Sequence, residues 1–210
     1  MKPAWLKRSF SLTGIIPVKE HLRGLNLHSV CEEARCPNLQ ECWGQRQLTF
    51  MILGDHCTRS CRFCAVEHGR TRAVEPDEPE RVAEASRRLG LVHIVITSVA
   101  RDDLDDEGAG QFVRVMQAVR EKNPGITVEV LVPDFHGRVE LITQIISTQP
   151  EVFAHNVETV ERLSEVLRPQ AEYRRSLGVL RVARELSGEG IVKSSLMLGC
   201  GEQVDEVRRT

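Results

Sequence analysis

With 210 residues, seven cysteines and a net charge of -2, the chain has the size of one domain with a sizeable core and is too short for two comfortable ones. No apolar run approaches the ~20 residues of a membrane span and the opening MKPAWLKRSF has no apolar signal core, so the expectation is a cytoplasmic protein with no membrane partner, whose thiols stay reduced and bind metal rather than pair. Positive charge gathers in residues 1–72 and negative charge in 73–121, but without the basic stripe and interleaved aromatics of a nucleic-acid binder.

Upstream of residue 47, VCEEARCPNLQECWG carries Cys31, Cys36 and Cys42. From there the chain alternates. LTFMILGD (48–55) reads as a β-type apolar run closed by Gly-Asp, and PERVAEASRRLG (79–90) as a helix with proline at its start and glycine at its stop. LVHIVITSV (91–99) is a buried strand, 108–125 a helix with a Pro-Gly stop, and 126–132 the next strand. Helix 138–147, strand 151–156, helices 160–168 and 172–187, and strand 190–199 follow. Five apolar strands separated by helices predict an α/β fold: a parallel sheet with crossover helices, forming a partial (β/α) barrel. An open doubly wound sheet would want a phosphate-binding Gly-rich first turn, and none is present. The notable residues fall repeatedly at strand carboxyl ends, where such barrels collect their chemistry.

The last segment, GEQVDEVRRT, has acids early and arginines late, as in the first turns of a helix. It reads as the start of an element without a following strand, leaving the domain incomplete at its C-terminal side and the fifth strand with an open edge. The expected organisation is an N-terminal extension over 1–46 carrying one cysteine triad, and the incomplete barrel over 47–210.

The stretch HCTRSCRFCAVEHG (56–69) places Cys57, Cys61 and Cys64 on one loop after the first strand. Structural zinc wants four ligands. A [4Fe-4S] cube presents four irons, so three thiolates hold three of them and leave one open. Three cysteines with His56 or His68 could instead build a zinc knuckle, although zinc usually draws paired ligands from two separated knuckles.

The Cx3CxΦC spacing, with the aromatic Phe63 before the last cysteine, resembles the radical S-adenosylmethionine superfamily. That resemblance implies a [4Fe-4S] cluster on Cys57, Cys61 and Cys64, whose open iron binds the amino and carboxylate groups of S-adenosylmethionine and cleaves it to a 5'-deoxyadenosyl radical. The second triad, Cys31-x4-Cys36-x5-Cys42, together with VCEEARCPN, VITSVARDDL, VPDF, HNVETV, YRRSL and KSSLMLG, resembles the lipoyl synthase family over essentially the whole chain. The family implies a second, auxiliary [4Fe-4S] cluster on Cys31, Cys36 and Cys42 as sulfur donor, and insertion of two sulfurs at C6 and C8 of a protein-bound octanoyl group. It also implies partners: octanoylated lipoyl carrier domains (2-oxoacid dehydrogenase E2 subunits and the glycine cleavage H protein), an electron donor such as ferredoxin or flavodoxin, and a cluster-assembly carrier. The other class in play is a catalytically silent metal-binding protein derived from such an enzyme by truncation.

By the same analogy Thr97 and Ser98 would meet the amino acid end of S-adenosylmethionine, and Asn156 and Glu158 its ribose or carboxylate; no protein residue is assigned the chemistry itself. Against this, TSV can simply end a strand and NVET cap a helix. Asp102 and Asp103 read as first-turn helix acids, His155 as a packed strand-end histidine, and Arg101, Arg168 and Arg175 as able to hold a carboxylate bidentately. Three departures from the family stand out. Ser195 fills a usual glycine position in KSSLM, Cys200 replaces a usual aliphatic and is expected in the core, and Gln203 follows Gly-Glu in place of the usual residue. The family's C-terminal Arg-Ser-Ser-Tyr-x-Ser segment, whose serine completes the auxiliary cluster, is absent from the sequence.

Overall fold

In the computed structural model, which describes residues 14–210, the stretch MKPAWLKRSF lies outside the described residues. The N-terminal part comprises α1 (Ile16–Gly24), β1 (His28–Ser29), α2 (Val30–Glu33) and α3 (Leu39–Gly44). Next come β2 (Gln47–Ile52), the short β3 (His56–Cys57) and β4 (Glu67–His68), α4 (Glu78–Arg88), β5 (His93–Ser98) and α5 (Ala109–Lys122). The rest is β6 (Thr127–Leu131), α6 (Val139–Ile146), β7 (Val152–Ala154), α7 (Glu161–Leu167), α8 (Tyr173–Leu186), β8 (Ile191–Lys193) and α9 (Val204–Arg209).

The main sheet has the order β1-β2-β5-β6-β7-β8. The five strands expected from the sequence pair in parallel, each beside its sequence neighbour in the barrel series. β1 was not anticipated: it adds antiparallel to β2, His28 opposite Met51 and Ser29 opposite Phe50. Two residues are too few to show a period-two pattern. The sheet does not close, and among the described residues β8 pairs on one side only, with Ile191 60% exposed.

Period-two alternation divides the sheet into two faces. Phe50, Ile52, Ile94, Ile96, Val128, Val130 and Phe153 belong to one buried core with Val82, Phe112, Val115, Met116, Ile142 and Ile145 of the covering helices. Each such fully buried side chain contributes roughly 1.5–3 kcal/mol. On the inner face the register aligns Met51, Thr97, Leu131, Ala154 and Lys193 in one row. Below it, buried Glu129 receives Lys193 at 2.6 Å.

α4 follows its sequence signals: Pro79 in its first turn, Glu78 and Glu80 early, Arg87 and Arg88 late, as the helix dipole favours. Its first residue also ties elements together, because buried Glu78 accepts from the Leu53 N–H (3.0 Å) and from Gln111 (2.7 Å). Gly108 precedes α5 at φ 87, in the left-handed region that favours glycine, where a Cβ would also meet the Leu53 side chain at 2.3 Å. At the far end α9 forms as expected and is opened by a capping box between Gln203 and Glu206. One expectation fails here: Cys200 is exposed rather than in the core, its N–H donating to Glu202. Ser195, at the family's glycine position, is exposed, its carbonyl accepting from the Glu158 N–H at 3.0 Å.

Candidate cluster and cofactor site

The cysteine loop is closed at its base. β3 and β4 pair in parallel, His56 with Glu67 and Cys57 with His68, and the Gly69 N–H reaches Cys57 O at 3.0 Å. Further backbone bonds moor it on two sides: Thr58 N–H to Ala100 O (3.1 Å) after β5, and Arg62 N–H to Leu167 O (2.9 Å) at the end of α7. Cys57 Sγ accepts from two backbone N–H groups, Arg59 at 3.4 Å and Ala100 at 3.3 Å. Such donors stabilise negative charge on a ligating sulfur. Burial pushes the Cys61 thiol up and the neighbouring Cys57 and Cys64 push it the same way, while Arg168 and Arg59 oppose them.

The zinc alternative finds little support in this geometry. His56 has carboxylate oxygens against both ring nitrogens, Asp55 at 2.8 Å and Glu67 at 3.3 Å, so neither is aimed at the cysteines. Among the described residues, the one trio of His, Cys, Asp or Glu with all ligand atoms within 4.8 Å of one another is Asp102, Glu107 and His136. At least one pair of the three loop thiols therefore stands more than 4.8 Å apart, wider than the ~3.8 Å that tetrahedral Zn–S bonds impose. Asp102 is itself taken, by Arg59 and Thr58.

Arg59, between the first two loop cysteines, is the residue that sequence reasoning missed. Its guanidinium is nearly buried and bidentate on Asp102, Nε to Oδ2 at 2.9 Å and Nη2 to Oδ1 at 2.7 Å. Nη2 also meets Oδ1 of the fully buried Asp134 at 2.8 Å, whose other oxygen receives Arg175 at 3.2 Å. Burial by itself would raise both carboxylates, but the hydrogen bonds and charge of Arg59 outweigh it and hold Asp102 and Asp134 below their ordinary range. The first-turn reading of Asp102 and Asp103 is thereby corrected: both lie in the loop before α5, which starts at Ala109. Asp103 is held by buried Arg101 through two bonds of 2.8 Å, which lowers it to about 2. The signal available beforehand was an arginine inside the cysteine spacing, and strand-end aspartates in ARDD and VPDF for it to meet.

A cavity of about 430 Å³ opens beside the loop. Cys57, Cys61 and Cys64 line it, as do all five residues named from the sequence for cofactor contact: Phe63, Thr97, Ser98, Asn156 and Glu158. Thr97 spends its hydroxyl on Leu131 O at 2.7 Å. Asn156 and Glu158 do not cap α7, whose N-cap is Val160 without a side-chain bond. Burial raises Glu158, opposed by a hydrogen bond from Asn156 and by Arg168. Arg168 lines the cavity and donates to Val157 O at 2.9 Å rather than to a carboxylate. His155 is packed as expected, 2% exposed with Nδ1 on Val132 O at 2.9 Å.

Two lining residues hold buried polar atoms without a partner, Ser98 Oγ and His155 Nε2. Buried polar groups are normally satisfied, so both suit a polar ligand in this space. The segment that carries Cys31 borders the same cavity, although none of the upstream cysteines lines it. Cys31 sits on α2, its side chain in the core, and the flanking Val30 and Ala34 form part of the wall. Cys36 follows α2 and Cys42 lies on α3. Three thiols on one loop, a mostly apolar cavity against them and two unsatisfied polar atoms in its wall fit a cluster with an open iron and a ligand bound there.

An incomplete parallel barrel with a cysteine loop after its first barrel strand defines a class, and the comparisons agree. Residues 51–210 match the Radical SAM superfamily, a membership that implies a [4Fe-4S] cluster and S-adenosylmethionine. Solved structures share the fold: methylornithine synthase (TM-score 0.59, 16% identity, covering 95% of this chain and 60% of that one) and HydG, a maturase of the [FeFe]-hydrogenase (TM-score 0.57, 16% identity, 93% and 48%).

Residues 1–36 match the N-terminal domain of lipoyl synthase. The chain is 52% identical to the lipoyl synthase of Rubrobacter xylanophilus over 100% of its own length and 65% of that protein's. Identity is 50% to those of Symbiobacterium thermophilum (98% and 65%) and Desulfotalea psychrophila (100% and 70%). The chain belongs to the lipoyl synthase family, and spans about two thirds of the length of these relatives.

Proposed function

We propose that this chain carries the sulfur-inserting machinery of a lipoyl synthase. The observation that supports it best is the single cavity walled both by Cys57, Cys61 and Cys64 and by the helix that bears Cys31. In this reading residues 47–210 form the radical-generating scaffold, and residues 1–46 are an extension that brings a sulfur-donating cluster to the substrate. With both groups bound, the chemistry supplied is one-electron cleavage of S-adenosylmethionine, hydrogen removal at C6 and C8 of an octanoyl chain, and delivery of sulfide from the auxiliary cluster.

The protein's own share is holding, orienting and excluding water. Cys57, Cys61 and Cys64 hold the radical cluster and Cys31, Cys36 and Cys42 the auxiliary one. Phe63, Thr97, Ser98, Asn156 and Glu158 line the space for S-adenosylmethionine, where the unpartnered hydroxyl of Ser98 finds a polar group of the ligand. The substrate is an octanoylated lipoyl carrier domain, of E2 or H-protein type. Electrons come from a ferredoxin or flavodoxin, and a cluster-assembly carrier restores the consumed cluster, all in the cytoplasm.

The test is anaerobic reconstitution with iron and sulfide, addition of reductant, S-adenosylmethionine and an octanoylated carrier domain, and measurement of 5'-deoxyadenosine and carrier mass. Iron uptake with nucleoside release is expected. Tightly bound zinc with no iron taken up would sink the reading and leave the silent metal-binding protein in its place.

A further inference from the structure

The sulfur of Cys57 is the one loop thiol for which two backbone donors are seen, and those donors come from separate segments. One is the N–H of Arg59, two residues along the loop; the other is the N–H of Ala100, beyond the end of β5. These segments are joined by the backbone bond from Thr58 N–H to Ala100 O at 3.1 Å and, beyond it, by side chains. Arg59 grips Asp102 with both nitrogens of its fork, and Thr58 donates to Asp102 at 2.9 Å while accepting the Asp102 N–H at 3.2 Å. Asp102 stands two residues from Ala100. The third arm, to Asp134, anchors the same guanidinium at the end of β6. Arg59 thus joins three strand ends, and two of them supply the donors to one sulfur.

We infer that Arg59 is a positioning residue for the radical cluster: clamped between Asp102 and Asp134, it holds the cysteine loop in its ligating shape before iron arrives and keeps both backbone donors on the sulfur of Cys57. The inference rests on the assignment of Cys57, Cys61 and Cys64 as cluster ligands. Its chemistry is specific to arginine. Lysine keeps the charge but has no planar fork to serve two carboxylates at once. Hydrogen bonds to ligating sulfur favour the reduced, more negative cluster, so loosening the clamp lowers the reduction potential as well as the hold on iron.

The experiment uses the full chain with Cys36→Ser and Cys42→Ser, which leaves the loop triad as the iron site, and compares Arg59→Lys with that parent. In the iron-free protein, amide hydrogen exchange at Thr58 and Arg62 is expected to speed up on the order of tenfold, while Ile94 and Ile96 in β5 stay protected. After reconstitution with iron and sulfide, a chelator should strip iron about tenfold faster and the cluster potential should move negative. Unchanged loop exchange, iron loss and potential in Arg59→Lys would overturn the inference. If that variant does not fold, Asp102→Asn carries the same three readouts, with Asp102→Glu as the conservative rescue. A lowered melting temperature with none of the three altered would show a purely structural pair and also overturn it. A parent that takes up no iron refutes the ligand assignment instead, and the iron-free exchange data still decide the clamp.

Discussion

The two cysteine triads have the same number of thiols and are built in different ways. The loop triad sits at strand ends, its backbone moored by hydrogen bonds to two neighbouring segments and its arginine buried between two aspartates. The upstream triad is spread over α2, the turn after it and α3; Cys31, Leu39 and Trp43 enter the continuous core, Ser29 caps α2 and Lys19 pairs with Glu32 at 3.2 Å. A charged, hydrogen-bonded frame is directional and defines positions to a few tenths of an ångström, whereas burial of a four-residue helix fixes depth more than angle. The difference fits the two proposed tasks. A cluster that must present one open iron to a bound ligand needs an exact seat, while one that surrenders sulfide and is rebuilt has to be accessible and tolerant.

The comparison breaks most sharply at the ligands. Cys57→Ala is expected to abolish S-adenosylmethionine cleavage, a fall of roughly 10³-fold or more, because one of three thiolates is lost from an interdependent set. Cys31→Ala should leave cleavage within about tenfold and remove sulfur transfer. Measured as 5'-deoxyadenosine release, equal loss in both variants with the remaining cluster intact would erase the division of labour.

Acid tests the cavity next. Burial pushes His155 down to about 4 from an ordinary 6.5, so the folded chain keeps it neutral where the unfolded chain takes up a proton. Its contribution to stability is complete above pH 6.5 and is lost as pH falls from 6.5 toward 4, by up to about 3 kcal/mol. The carboxylates beside Arg59 and Arg101 are depressed, and their losses begin lower, near pH 4 and below. Urea unfolding between pH 7 and 4 should therefore show a slope that His155→Gln flattens. A slope identical in both proteins would mean that the histidine titrates normally.

The smallest effect concerns the upstream helices. Ser29 is buried and accepts the Glu32 N–H at 3.3 Å, so Ser29→Ala should cost about 1 kcal/mol. Chelator release should then show faster iron loss from the upstream site with the loop site unaffected. Equal acceleration at both would make the triads one mechanical unit.

Much of this was legible in the chain itself. Runs of six to ten residues between amphipathic segments announced the parallel strands and their helices, because period and length are local properties. The cysteine spacings marked both proposed ligand sets for the same reason. The N-terminal helices and β1 were not legible: a two-residue strand and a four-residue helix carry no period, and they exist through packing on β2. Cys200 went astray because a cysteine's burial depends on what surrounds it.

The sequence by itself determined the cysteine spacings from which the iron ligands are proposed, and that five strands would run parallel with the candidate site residues at their carboxyl ends. Only the tertiary structure decided that Arg59 would meet Asp102 and Asp134, residues 43 and 75 positions further along the chain, and that α2 would wall the same cavity as the loop cysteines. Ion pairs and cavities between distant segments leave no periodic trace, since they are fixed by which strands become neighbours when the core closes and not by any local preference.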